Sequence, residues 1–483
     1  LMIRPPPRST PLYSSAASDV YKRQTVTWTK NAPLTILVQN RNQTEQVLLS
    51  VDEKTGATTP LLTESDSAWI NIYESCPKYL EDGSGFLWVT EQYKGAAPGK
   101  DFARLELRNR DGTLKRVLTP PGFPMFDCVG LDEVRGFAYI AHSRFPTRTH
   151  VARVALSGDA LTLASPVNIN DGVGQFSAVF SKNHAVYVES ANMLNGDVSW
   201  TVKNGQGATL GVLVSAAEQP PFVPKIELTT VGNLVGRSRE YYAAITRPRN
   251  FTTSKKYPVI VQVYGGPGNT TVNAAAMGYL LPQWMADHGF IVVSIDGRGT
   301  PRRGRAWERA IKNNLIDIPL EDQADGLELL GRRYPEMDLS RVGITGWSFG
   351  GYFSAMAVMR KPGVYSCGVA GAPVCAWEDY DTHYTERYMG LPQQNPAGYA
   401  AANVLTYCKD LKVPLLIIHG TADDNVYFMH SLKMTGELFR NGKMFEFLPL
   451  AGFTHMVPDP NATKKLQERI IGFFEKHLGA NGQ

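Results

Sequence analysis

Three polar side chains in the second half of the chain have the types and order of a nucleophile, an acid and a base. The first lies in Gly346-Trp347-Ser348-Phe349-Gly350, a G-x-S-x-G pattern between an apolar stretch, Arg341 to Thr345, and a helix-forming one, Phe353 to Met359. A serine hydroxyl is a weak nucleophile until a base takes its proton. A strand-to-helix turn sharp enough to expose it strains the backbone and demands small neighbours, which the two glycines supply. Five loosely specified positions recur by chance as plain Gly-rich turns. The strand–turn–helix setting is what points to Ser348 as a nucleophile.

The partners of such a serine follow it in the order acid, then histidine. The apolar run Val413 to Ile418 leads into His419-Gly420-Thr421-Ala422-Asp423-Asp424-Asn425-Val426, where Asp423 and Asp424 both stand in the loop that needs the acid. Its task is to fix the imidazole tautomer and stabilise the imidazolium. His430, His455 and His477 come next. His430 is close behind the acid and is expected on the next helix. His477 falls in a terminal amphipathic pattern with Leu466, Ile470, Phe473 and Phe474, which suits an exposed or capping histidine. His455 ends the loop Leu450 to His455 after the strand Met444 to Leu448, the place for a general base. The charge developing on a carbonyl oxygen needs donors. The backbone N–H of Phe349 is one. The loop Tyr264-Gly265-Gly266-Pro267-Gly268 offers a second in the Tyr264 hydroxyl, although by spacing alone a core or rim tyrosine fits that position equally.

Pro258 to Val263, Phe290 to Ile295, Arg341 to Thr345 and Val413 to His419 are continuous apolar runs, as expected of strands buried on both faces of a parallel sheet. Helical stretches such as Glu321 to Arg333 lie between them, so this half is expected to be a doubly wound α/β domain. From Thr25 to about Ala217 the chain reads instead as short strands, among them Thr35 to Val38, Phe86 to Val89, Leu105 to Leu107 and Ala185 to Val188. Asp82-Gly83, Asp111-Gly112, Ser157-Gly158-Asp159 and Asn204-Gly205 separate them as turns. A loose repeat closes on Leu62-Thr63, Leu118-Thr119 and Leu163-Ala164. Spacing of this size suits propeller blades and predicts about four of them; a β-sandwich also fits the strands. Gln219-Pro220-Pro221-Phe222-Val223-Pro224 reads as a linker. The expected organisation is 25–218 for the β region and 219–483 for the α/β domain.

With 483 residues, 43% hydrophobic and 19% charged, the chain is ordinary in composition, and a net charge of +4 gives no reason to invoke nucleic acid or an acidic membrane surface. Cys76, Cys128, Cys367, Cys375 and Cys408 show no metal-ligand spacing and suit plain thiols. No apolar run reaches the roughly 20 residues that span a bilayer, and no secretory signal is visible. The run Ser15 to Gln24 resembles translated adapter sequence. Residues 1–24 are therefore set aside as non-native, with the natural start expected further upstream.

Together these residues resemble the dipeptidyl peptidase IV branch of the prolyl oligopeptidase family of serine peptidases. Gly346 to Tyr352 is similar to its nucleophile motif, with Phe349 where the family often has Tyr. His419 to Val426 resembles its acid motif, whose first Asp is catalytic, so the resemblance selects Asp423. Tyr264 in Val263-Tyr264-Gly265-Gly266-Pro267 matches the oxyanion tyrosine. Trp377 to Pro392 resembles the segment lining the pocket for the residue before the scissile bond, which assigns that role to Tyr380, Tyr384, Val374, Trp377 and Val426. Flat aromatic walls suit a rigid, apolar proline ring; ordinary core packing is the other reading of the cluster. Asn425 matches a residue that hydrogen-bonds a substrate carbonyl. Trp69-Ile70-Asn71-Ile72-Tyr73 resembles a propeller segment whose aromatic residue, here Tyr73, reaches the active site. The family sets a β-propeller before its α/β-hydrolase domain, which favours a partial propeller here. It holds the substrate's free amine with two adjacent glutamates in an early blade. Here Glu74 has no second glutamate beside it in the sequence, as a truncated start would leave it.

The resemblance thus implies a serine exopeptidase releasing Xaa-Pro or Xaa-Ala dipeptides from peptide substrates, with no metal or cofactor in the chemistry. It also implies a homodimer and a periplasmic or secreted location. A prolyl oligopeptidase or acylaminoacyl-peptidase is the near alternative. An inactive truncated or non-catalytic binding homologue is the distant one, and all three candidate triad residues argue against a binding protein.

Overall fold

The computed structural model describes residues 24–92, 101–157, 166–232 and 239–479. In the first half, short β-rich segments broken by turns fold into four sheets, each a meander of four consecutive strands. The first holds Gln24–Thr27, Leu34–Gln39, Glu45–Val51 and Thr58–Ser65; the second Lys78–Tyr79, Gly85–Thr90, Arg104–Asn109 and Leu114–Val117. The third holds Met125–Asp132, Phe137–His142, His150–Ala155 and Val167–Asn168; the fourth Gly174–Phe180, Val186–Met193, Val198–Asn204 and Thr209–Leu213. All pairings within them are antiparallel. These are four blades of a partial β-propeller. Gln24, the last residue of the adapter-like stretch, opens the first strand opposite Val38. The remainder of that stretch, and the landmark Leu163-Ala164, lie outside the described residues.

Gly85–Thr90 is buried along its whole length, because neighbouring blades cover both of its faces. The buried Glu106 carboxylate in the adjacent strand is answered by Arg104 (2.8 Å) and Arg108. Val186–Met193 alternates instead. One face of its sheet meets the third blade, where Tyr139 packs on Phe180 at 4.3 Å. The other face leaves Val179 and Trp200 exposed.

The second half is built on one eight-stranded sheet. Its strand order is Ile226–Gly232, Glu240–Thr246, Ile291–Asp296, Tyr257–Gln262, Met337–Trp347, Cys367–Gly371, Leu415–Gly420 and Glu446–Leu450. The last six run parallel, and the first two, which the continuous-run pattern does not reveal, add an antiparallel edge. The strands are apolar throughout because both faces are covered. Val259, Val261, Ile344 and Ile417 pack on one side with helices Asp317–Arg333 and Phe349–Arg360. Ile260, Val292, Leu416 and Ile418 pack on the other with Leu280–Asp287 and Pro460–Leu478. The last blade strand ends at Leu213 and the large sheet begins at Ile226; the proline-rich stretch 219–224 between them carries neither helix nor strand.

The two halves are knit together. Trp69, from the segment after the first blade, is fully buried in the core of the α/β half. Its carbonyl accepts from Arg309 (2.7 Å), which also donates to Glu91 (2.6 Å) of the second blade. Arg305 binds Asp66 alongside. All five cysteines are free and buried. Among the described residues no helix is long and apolar enough to cross a membrane.

Candidate active site

Ser348 sits between strand Met337–Trp347 and helix Phe349–Arg360 with φ 61° and ψ −119°. A non-glycine residue in such a region costs about 1–3 kcal/mol and persists only where the surroundings enforce it. They do so here. A side chain at Gly346 or at Gly350 would put its Cβ 2.3 Å from the Val263 carbonyl oxygen, so the tight turn admits only glycine on either side. Ser348 N–H donates to Gly371 O (2.9 Å), pinning the turn to the neighbouring strand.

Asp423 and His455 follow strands Leu415–Gly420 and Glu446–Leu450, at the same carboxyl edge of the sheet as Ser348. The His455 strand is three positions from the Ser348 strand, roughly 14 Å at normal strand spacing, so its loop must reach back. The Trp347 indole N–H donates to the His455 carbonyl (2.8 Å) and ties that loop to the residue before Ser348. The His455 Nδ1 is 2.7 Å from Asp423 Oδ2. Asp423 Oδ1 accepts from the N–H groups of Asn425 (3.0 Å) and Val426 (2.9 Å). The Asp423 side chain is fully buried, whereas Asp424 is exposed, so burial separates the two candidates that the sequence leaves side by side.

His419, to which the sequence pattern assigns no role, packs against Asp423. Its Nε2 is 2.7 Å from Val426 O and 3.3 Å from Asp423 Oδ2, and its Nδ1 is 2.7 Å from Ser431 Oγ. Burial holds its pKa below the ordinary value. The neutral tautomer with hydrogen on Nε2 satisfies all three neighbours. His430 is on the helix Met429–Arg440, and its Nδ1 accepts the Cys375 N–H (3.1 Å), holding the loop that carries Val374. Burial depresses its pKa to about 4. His477 is half-buried against Phe473 at 4.5 Å, and so is not the exposed residue its position suggests.

The Phe349 N–H is at the first turn of its helix, while its ring is buried between Tyr264 (5.8 Å) and Trp377 (5.6 Å). Phe349 therefore offers its backbone alone. Tyr264 is half-buried, and burial raises its pKa, which keeps the hydroxyl a donor. Trp377, Tyr384 and Tyr380 form an open box. Trp377 and Tyr384 stack at 5.9 Å and 17°, and Tyr380 meets both edge-on at 5.8 and 5.5 Å. Val374 and Val426 are buried beside it. The Tyr380 hydroxyl donates to Asn425 Oδ1 (3.1 Å), joining box to acid loop. Burial raises the pKa of Tyr384 well above its ordinary value, so its phenol stays uncharged.

Tyr73 faces a cavity of about 390 Å³ between the two halves. Gly268, from the end of the Tyr264 loop, and Arg387, from the helix of the aromatic box, line it too. The Tyr73 hydroxyl donates to Glu91 Oε1 (3.1 Å). The Asn71 amide donates to Glu91 (3.2 Å) and to Glu308 (3.1 Å). Burial, with the Glu91 charge second, raises the Glu308 pKa to about 7. This acidic pair is not legible in the sequence, where its members stand 217 residues apart (308 − 91) with no local pattern.

Comparison with known proteins agrees with this architecture. The prolyl oligopeptidase family profile matches residues 278–481, and that of the dipeptidyl peptidase IV N-terminal region matches 8–195, reaching into the adapter-like stretch. The chain is 36% identical to human dipeptidyl peptidase 8 over 276 residues, which is 56% of this chain and 30% of that protein. It is 30% identical over 474 residues to a probable dipeptidyl-aminopeptidase B of Uncinocarpus reesii, covering 92% of this chain and 50% of that protein. The crystal structure of Porphyromonas gingivalis dipeptidyl peptidase 4 superposes with a TM-score of 0.84 at 26% identity, over 94% of this chain and 63% of that one. The chain thus spans about half the length of the curated relatives that it matches along nearly its whole length. Blades, elbow motif and both profiles concur: the chain belongs to the dipeptidyl peptidase IV branch of the prolyl oligopeptidase family.

Proposed function

We propose that the protein is a serine exopeptidase that releases Xaa-Pro or Xaa-Ala dipeptides from the N-termini of peptides. The observation that carries the reading is the His455–Asp423 bond of 2.7 Å, in a loop tied to the strained Ser348 turn and beside an aromatic box. In this reading Asp423 fixes hydrogen on His455 Nδ1 and leaves Nε2 free to accept. Ser348 Oγ attacks the carbonyl carbon of the second residue and its proton passes to His455. The Phe349 N–H and the Tyr264 hydroxyl receive the oxyanion. His455 then protonates the leaving amine, and water repeats the sequence on the acyl-enzyme. Tyr380, Tyr384, Trp377, Val374 and Val426 hold the proline ring or alanine methyl, and Asn425 meets a substrate carbonyl.

Residues 25–218 act as the propeller and 219–483 as the peptidase unit. The enzyme works as a homodimer. Exposed Leu432, Phe439 and Met444 on the outer surface of the peptidase unit support that assembly.

The test compares chromophore release from glycyl-prolyl and N-blocked glycyl-prolyl substrates by this chain and a Ser348→Ala variant. Turnover of the free-amine substrate alone, lost in the variant, is expected. Turnover of both would replace this reading with an oligopeptidase or acylaminoacyl-peptidase. A Ser348 inert to fluorophosphonate would point to a binding protein.

A further inference from the structure

The first blade reaches the helix that carries Tyr384 through a hairpin tip. Residues 40–44 join strands Leu34–Gln39 and Glu45–Val51, and the turn is braced from within: Asn40 Oδ1 accepts the N–H groups of Thr44 (2.9 Å) and Glu45 (3.2 Å). Gln43 adopts φ 56° there. The tip presents Arg41 and Gln43 to helix Thr382–Met389, which carries Tyr384. Arg41 donates from Nε and Nη2 to the two oxygens of Glu386, at 2.9 and 2.8 Å. Gln43 donates to the His383 carbonyl (2.6 Å) and accepts from Arg387 Nε (2.7 Å). The Glu386 side chain is 4% exposed, so its charge is answered by the protein and not by bulk water.

These bonds bracket Tyr384 on its own helix. A two-turn helix has little stability of its own and takes its orientation from what it packs against. Asp381 caps its start through the N–H groups of His383 (2.6 Å) and Tyr384 (3.4 Å). Its end is held by the Asn313 N–H on Tyr388 O (2.7 Å) and the Asn395 amide on Met389 O (2.9 Å). Between these ends the Arg41 and Gln43 contacts add a restraint on rotation of the turn that carries Tyr384. A tyrosine hydroxyl extends about 9 Å from the axis, given a Cα radius of about 2.3 Å, so a turn of about 10° would move it about 1.5 Å. A misplacement of about 1 Å can cost up to about 100-fold in a reaction that depends on positioning. Two donors held in a planar fork resist this rotation better than a point charge.

We propose that Arg41 and Gln43 are positioning residues that set the register of the Tyr380–Tyr384 box, so that selection of the substrate's penultimate residue is governed from a propeller hairpin some 340 residues away in sequence. The proposal rests on the prolyl peptidase reading for its substrate but not for its mechanics. Two measurements on Arg41→Met and Arg41→Lys separate the two. The first is the rate at which Ser348 is labelled by a small alkyl fluorophosphonate and by a prolyl diphenylphosphonate. The second is amide hydrogen exchange of residues 382–389, followed by mass spectrometry. Arg41→Met is expected to label with the small reagent at the wild-type rate and to lose about tenfold with the prolyl reagent. Arg41→Lys should fall between, and exchange in 382–389 should rise in both. Exchange unchanged from wild type, or both labelling rates falling together in a variant with an unaltered melting temperature, would overturn the proposal. If Arg41→Met does not fold, the same comparison on Arg41→Lys decides it. A wild-type protein with no preference for the prolyl reagent would overturn the substrate reading instead, and the exchange result would still judge the clamp.

Discussion

Replacing Asp423 by Asn removes one charge and changes almost no volume, and the surroundings dictate the consequence. Asp423 Oδ1 accepts two backbone N–H groups, from Asn425 and Val426, and Oδ2 faces His455 Nδ1. An asparagine must keep its oxygen on the two backbone donors, because turning its NH₂ toward them would set donor against donor. The NH₂ then points at His455 Nδ1, which can only accept. The proton moves to Nε2, and the imidazole can no longer take the Ser348 proton. Loss of the correct tautomer is worth about 10⁴ in kcat, or about 5.4 kcal/mol at 1.36 kcal/mol per decade. Substrate affinity should change little, because the box is untouched. Steady-state hydrolysis of glycyl-prolyl p-nitroanilide by Asp423→Asn, beside Asp424→Asn as the exposed neighbour, tests the argument. More than about a tenth of wild-type kcat in Asp423→Asn, or an equal loss in Asp424→Asn, would refute it.

Tyr264→Phe deletes one oxyanion donor and should lower kcat by about 10²–10³ with a small change in KM; unchanged kcat would return Tyr264 to a packing role. Glu308 makes stability depend on pH. Its folded pKa of about 7 lies above the ordinary 4.5, so the folded state binds more protons between those values. The stability it contributes is complete below about pH 4.5 and lost as pH rises through about 7. Wild type should therefore lose more stability over that window than Glu308→Gln, as urea unfolding at pH 5 and pH 7.5 would show; parallel losses would exclude Glu308 as the source. If the proposed homodimer forms through this surface, Phe439→Glu with Met444→Glu should convert it to a monomer in sedimentation velocity without unfolding it, and an unaltered sedimentation coefficient would move the interface elsewhere.

Local patterns carry much of this protein into view before any coordinates. The continuous apolar runs around Val259–Val261, Ile291–Ile295 and Leu415–Ile418 announce strands covered on both faces, because the alternation that one open face would impose is missing. The glycines around Ser348 mark the elbow because the turn excludes any Cβ there. The candidate acid and base are legible as loop residues after successive strands. Tertiary structure alone decided what depends on contacts between distant segments. The motif resemblance selects Asp423 over Asp424 from sequence, and what the fold adds is that the first is buried and the second exposed. Packing brought His419 beneath the acid, set Glu91 against Glu308, and placed Arg41 on Glu386 across 345 residues. The sequence shows which faces a strand or helix must hide. Which charged residue lies opposite which depends on how the blades dock on the sheet, and no periodicity along the chain encodes that docking.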